Sequence, residues 1–159
     1  MRRFRVERAA PPPELAPFVG FFWVLRWDLR GRAPHRQRLL TTPCVHMTFT
    51  RYLTAGATRA RVVGVVRGEF AEELADDGHV VGAGFRPGGF RPFLGAGGPV
   101  SAFTGRFAGV DEVFGREGTA LAREIFAARG PEEGLGLLTE FLAGRRPERD
   151  PSAELAAAI

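Results

Sequence analysis

The side chains able to do chemistry in this chain are few, and their spacing excludes more than it offers. Every basic residue is arginine, so a Walker-type phosphate loop, a Schiff base and a lysine general base are all impossible. The three histidines, His35, His46 and His79, are scattered. A strand-borne metal site takes two histidines from alternate positions of one strand and adds a carboxylate; no such pair exists, so no metal is expected. Cys44 follows Pro43 at the start of a strand-like run, and Ser101 and Ser152, the only serines, lie in no nucleophile-elbow context. A single thiol builds neither an internal disulfide nor a thiolate metal site. Gly82 and Gly84 begin a dinucleotide-type pattern that Pro87 interrupts where glycine is required. No catalytic residue, no cofactor and no enzymatic activity are therefore expected, which turns attention from reaction to binding.

The elements that would position a binding site follow from hydrophobic period. Within Phe18 to Asp28, the residues Phe21, Trp23, Leu25 and Trp27 alternate onto one side of a predicted strand and make a wall of aromatics. Gly31 and Pro34 mark a turn, after which Arg36 to Leu40 is predicted to return as the second strand of a hairpin. From Cys44 to Arg51 the alternation is cleanest, with Val45, Met47 and Phe49 apolar and His46, Thr48 and Thr50 polar. Beyond a bend at Thr54 to Thr58, the β-branched run Arg61 to Gly68 suits a strand covered on both faces. Glu69 to Gly78 reads as a further bend. His79 to Arg86 is then a fifth strand, with Val81, Ala83 and Phe85 on one face and glycines permitting close approach on the other.

From Phe90 the period changes. Phe90 to Leu94 reads as one helical turn stopped by Gly95, Ser101 to Phe114 as a weak helix, and Gly118 to Arg129 as a better one, with Leu121, Ile125 and Ala128 on one stripe. The best-marked helix opens on Pro131, carries Glu132 and Glu133 in its first turn, presents Leu135, Leu138 and Leu142 with Phe141, and closes at Arg145-Arg146-Pro147. Strands followed by helices predict an α+β fold, its β part spanning about 18–86 and its helical part about 90–146 of a single domain 1–146. Residues 147–159 read as a polar linker and, from Asp150-Pro151, the start of another helix.

Bulk composition agrees with one ordinary domain: 159 residues, 45% hydrophobic and 25% charged. The net charge of +4 and the pI near 10.7 suggest nucleic acid at first sight. The arginines, however, are dispersed from Arg2 to Arg149 among 18 acids, as a GC-rich coding bias produces, rather than clustered into a phosphate-binding footprint. No apolar run reaches signal-peptide or membrane-spanning length, and with one cysteine the expected location is cytoplasmic, with no membrane partner.

One segment also carries a resemblance. Gly84-Phe85-Arg86-Pro87-Gly88-Gly89-Phe90-Arg91-Pro92-Phe93-Leu94-Gly95 reads as a strand ending in a tight corner and a plugging turn of helix. It resembles the corner of the uncharacterised, cupin-like sensory domain that precedes the helix-turn-helix units of many AraC-family bacterial transcription regulators. Leu15 to Val19 with Phe22-Trp23, the run Leu40 to Phe49, and Pro99-Val100-Ser101 through Val113-Phe114-Gly115 resemble other blocks of that domain, so the likeness covers roughly residues 10–159. His46 stands where the resembled motif has asparagine.

The resemblance implies a cupin-like β-barrel or half-barrel that accepts a small-molecule effector, followed by helices that pair two protomers. It implies too that the transcriptional role is completed by a DNA-binding domain beginning near Asp150, which the chain lacks, so that DNA is a partner only through that domain. Effector-binding barrels are mostly apolar inside with a few orienting polar groups. Trp23, Trp27, Met47, Phe49 and Phe85 supply the apolar part, and Arg26, Arg38, His46, Thr48 and Arg86 the polar part, pointing to an apolar or aromatic effector. Leu121, Ile125, Leu135, Leu138 and Leu142 are the expected dimerisation residues, giving a homodimer. A free-standing small-molecule-binding barrel and a cryptic enzyme are the alternatives, the first separable by whether the gene runs on into helix-turn-helix units.

Overall fold

The computed structural model describes residues 4–40, 45–64, 70–94 and 107–147. The strands are β1 (Phe4–Ala9), β2 (Val19–Asp28), β3 (His35–Leu40), β4 (His46–Tyr52), β5 (Thr58–Val63), β6 (Phe70–Leu74), β7 (Asp77–Phe85) and β8 (Phe107–Gly109). A 3-10 turn, Arg91–Leu94, precedes β8, and the helices α1 (Val110–Phe114), α2 (Arg116–Ala127) and α3 (Pro131–Gly144) follow it. Six strands form one antiparallel sheet in the order β1-β2-β7-β4-β5-β8, while β3 and β6 pair as a separate ribbon. The fold is α+β, a large antiparallel sheet followed by helices, consistent with a half-barrel.

Period-two alternation gives the sheet two unlike faces. Met47 and Phe49 of β4, Val81, Ala83 and Phe85 of β7, and Phe22 of β2 are buried in one cluster together with Leu121 and Ile125 of α2 and Leu138 and Leu142 of α3. This is the outer, helix-covered face. The opposite, inner face carries Trp23, Leu25 and Trp27, which cluster with Val63, Val80 and with Leu74 of the ribbon. Each large side chain buried here contributes about 1.5–3 kcal/mol relative to its exposed state.

The corner after β7 closes one end. Gly88 turns there at φ 72°, a left-handed conformation that glycine adopts without strain. The backbone N–H of Arg86 donates to the Phe18 carbonyl at 2.8 Å. Phe90 and Phe93 then fold back as a plug, their rings 4.9 and 5.5 Å from that of Phe85, edge to face. Arg145, just past α3, ties this plug to the helices: its Nε donates to the Phe93 carbonyl at 3.1 Å, its Nη1 pairs with Glu117 of α2 at 2.6 Å, and its guanidinium lies 4.8 Å from the centre of the Phe114 ring.

Several sequence expectations need correction. β2 and β3 do not form a hairpin, because both edges of β2 are occupied, by β1 and β7. β3 pairs instead with β6, where Arg36 stands opposite Glu73. The acidic segment expected to bend thus contains β6, and the basic N-terminal segment contains β1. The weak helix expected from Ser101 begins only at Val110, after the short strand β8; its first part lies outside the described residues, as do Cys44 and the helix expected from Asp150. Among the described residues no helix is long and apolar enough to cross a membrane.

Candidate functional site

The inner face of the sheet is where polar chemistry and burial coincide. In the register of the four central strands, Trp23 of β2 stands beside Gly82 of β7, Gly82 beside Thr48 of β4, and Thr48 beside Arg61 of β5. One step toward the corner the row reads Phe21, Gly84, His46, Val63, and one step away Leu25, Val80, Thr50, Arg59. The alternating glycines of β7 are a steric requirement. A methyl group on Gly82 would overlap the Trp23 indole, and one on Gly84 would lie 2.7 Å from the Phe21 ring. Gly78 is covered in the same way by Trp27. The aromatic rings of β2 therefore lie across a glycine floor, as the alternation in both strands anticipates.

The two tryptophans differ in their polar ends. Trp27 donates its indole N–H to the Ala75 carbonyl at 3.0 Å and stacks edge to face with Tyr52, whose hydroxyl donates to the Glu73 carbonyl at 3.3 Å. This end of the face is closed by the ribbon. Trp23 is 5% exposed, and its indole N–H meets no acceptor among the described residues. The hydroxyls of Thr48 and Thr50, 2% and 0% exposed, are likewise buried without a hydrogen bond among the described residues. The Nε and one Nη of Arg61 are also removed from solvent. Buried polar atoms are nearly always satisfied, and each that is not costs on the order of 1–3 kcal/mol. Trp23, Thr48 and Thr50 bring three such groups into adjoining rows of one face.

His46 completes the group. Burial, with a smaller contribution from the positive charge of Arg8, lowers its pKa to about 4, so the imidazole is neutral near pH 7 and offers one donor and one acceptor. It packs edge to face against Phe21, which Arg8 in turn covers at 4.5 Å from the ring centre.

The structure brings together only part of the expected site. Trp23, Trp27, His46 and Thr48 share the inner face, whereas Met47, Phe49 and Phe85 point the other way into the helix-covered core. Alternation within β4 and β7 forces that separation. Arg86 is exposed at the corner, where its Nε donates to the Ala16 carbonyl at 2.7 Å, and it serves the corner rather than the face. Arg26 lies on the outer side, paired with Glu132 at the start of α3. Arg38 falls in β3, outside the six-stranded sheet.

Thr50 and Arg61 were not anticipated as site residues. The polar alternation of β4 holds the signal for Thr50, but Arg61 becomes visible only through strand pairing. The histidines occupy three separate places: His35 against Phe4, His46 on the inner face, and His79 on the outer side, its pKa lowered chiefly by burial and further by Arg51 and Arg26.

The expected dimerisation stripe lies against the chain's own sheet. Leu121, Ile125, Leu138 and Leu142 are 0–4% exposed within a single chain, and Leu135 packs half-buried against the same cluster. Their apolar faces are consumed by the chain's own sheet. The outward groove between α2 and α3, lined by Leu137 and Phe141 and flanked by Glu117, Glu124 and Glu140, is a different surface, of about 440 Å³.

No curated protein and no solved structure matches the chain. A family profile does match over residues 7–108, from within β1 to the start of β8 and so across both faces of the sheet. The chain belongs to the family described as a domain of unknown function, DUF6597.

Proposed function

We propose that this chain is the effector-sensing and dimerising domain of an AraC-type transcription regulator, binding a small molecule on the inner face of its half-barrel. The observation that carries the reading is the group of buried polar atoms without a hydrogen bond among the described residues, Trp23 Nε1, Thr48 Oγ1 and Thr50 Oγ1, over a glycine floor. A domain selected for stability alone would place apolar atoms there, as it does with Met47, Phe49, Val81 and Ala83 on the opposite face. The absence of a lysine and of any nucleophile–base arrangement among the described residues favours binding over catalysis. The motif resemblance supplies the regulatory half of the reading, in which effector occupancy passes to a helix-turn-helix unit of the same regulator. Protomer pairing falls to the outward side of α2 and α3, where Leu137 and Phe141 remain half-exposed.

The test is a thermal-shift screen of metabolites and aromatic compounds on the chain, repeated on Thr48→Val and Trp23→Phe. A ligand confined to the native state raises stability by RT ln(1 + [L]/Kd), about 2.7 kcal/mol at a hundredfold excess over Kd. The expected result is a hit whose shift is lost in both variants. A screen without hits, or hits indifferent to both substitutions, overturns the assignment of this face. Sedimentation showing a monomer at tens of micromolar overturns the pairing.

A further inference from the structure

On the outer side of the sheet, away from the face proposed for the effector, we infer a second site: a cleft that takes a small phosphate ester, its phosphate held between a row of basic side chains on the strands and Arg129 opposite them. Register makes the row. Arg26 of β2 stands beside His79 of β7, and His79 beside Arg51 of β4, so three basic side chains adjoin on neighbouring strands. Strands run about 4.8 Å apart, and like charges side by side at that spacing destabilise a sheet. Gly134 of α3 packs on Val81, two residues along β7. Beyond that contact the row borders a cleft of about 660 Å³, whose other wall is the turn from Ala128 to Glu132 between α2 and α3.

The acids of the cleft leave part of this charge unanswered. Asp28 is held by Arg30, whose Nε and Nη2 donate to it at 2.9 and 2.7 Å. The Asp77 carboxylate accepts the backbone N–H of Thr54 at 3.0 Å. Glu132 pairs with one Nη of Arg26, while the Nε of Arg26 is buried and meets no acceptor among the described residues. Arg51 and Arg129 line the cleft and make no ion pair among the described residues. The charges of Arg51 and Arg26 act together on His79, where they add to burial in lowering its pKa. An anion placed there meets both guanidiniums and relieves their mutual repulsion.

The directions of the donors select phosphate. A carboxylate has two oxygens in one plane, which a single guanidinium fork satisfies, whereas a phosphate presents oxygens in three directions and carries more charge. Here the donors come from the strands on one side and from Arg129 on the other. The N-terminus of α3, capped at Gly130 by no side chain, borders the same cleft and adds the positive end of its dipole. The volume exceeds that of the ion alone, which leaves room for the ester's organic part.

NMR titrations of the histidine rings at pH 7 and constant ionic strength, with glycerol 3-phosphate, inorganic phosphate and acetate, test the site, and His79→Gln assigns the His79 signals. Glycerol 3-phosphate should shift those signals saturably at millimolar concentration, inorganic phosphate should bind more weakly, and acetate at least tenfold more weakly than the ester. Bound ester should raise the His79 pKa, since a nearby anion favours the imidazolium. Arg51→Gln and Arg129→Gln should each weaken binding at least fivefold; Arg129 is exposed, so its variant tests the site even if Arg51→Gln unfolds. Glu132→Gln, which releases Arg26, should strengthen it. Arg123→Gln removes an exposed charge of α2 outside the cleft and should change nothing. The absence of a saturable shift with either phosphate, or equal weakening by Arg123→Gln, overturns the site. Acetate binding as tightly as the ester overturns phosphate, and inorganic phosphate binding more tightly overturns the ester. Thr48→Val should leave every titration as it was, so the cleft stands or falls apart from the inner face.

Discussion

The two faces of the sheet come from the same strands, yet they differ in the side chains they bury. On the outer face, residues such as Met47, Phe49 and Phe85 meet α2 and α3 with apolar atoms alone. On the inner face, one residue along in each strand, Thr48, Thr50 and Trp23 bury polar atoms as deeply, and these meet no hydrogen-bond partner among the described residues. Depth of burial is therefore common to both faces, while a buried polar group without a hydrogen bond lowers stability.

Substitution can break that comparison. Phe49→Ala should cost about 3–5 kcal/mol in urea denaturation, as a cavity opens between sheet and helices. Any ligand shift measured at a temperature where this variant is folded should survive. The inner face is sensitive to acid instead. Because the pKa of His46 is lowered to about 4 in the folded chain, the unfolded chain binds the extra proton between pH 6.5 and 4. Stability should therefore fall with acidification through that window, by about 3 kcal/mol in total, and His46→Asn should flatten the profile. An unchanged slope in His46→Asn would assign the acid sensitivity to another group.

Gly82→Ala should cost about 1–3 kcal/mol by displacing the Trp23 ring and should shift tryptophan emission. Thr48→Val should go the other way, leaving stability unchanged or raising it by about 1 kcal/mol, since it removes a buried hydroxyl that has no hydrogen bond among the described residues. A substantial loss in Thr48→Val would mean that the hydroxyl is satisfied in solution and that the two faces are less different than they look. Smallest of all, Glu132→Gln should change stability by less than about 1 kcal/mol, because its pairing with Arg26 is largely exposed.

Much of this division was legible in the sequence. The alternation of β4 separates Val45, Met47 and Phe49 from His46, Thr48 and Thr50, and the glycines of β7 announce a close approach on the side away from Val81 and Phe85. What period alone leaves open is which strand lies beside which. Phe49 and Phe85 were grouped with Trp23 because all are aromatic and strand-borne, and only the pairing of β4 and β7 shows them on the far face. The helical stripe misled for a related reason. An apolar face on α2 or α3 states that something covers it, and the sheet of the same chain supplies the cover before a second chain can. β1 and β6 were missed because their charged residues, Arg5, Glu7 and Arg8 in one and Glu72 and Glu73 in the other, read as loop.

The glycine floor has a consequence for how such a domain can diversify. At Gly78, Gly82 and Gly84 every substitution adds atoms where a ring already lies, so β7 has no neutral direction in which to drift. Variation on this face is left to its neighbours β4 and β5, where Thr48, Thr50 and Arg61 stand beside the glycines in register. Across related sequences, β7 would then be the line that stays constant, and β4 with β5 the alphabet that varies.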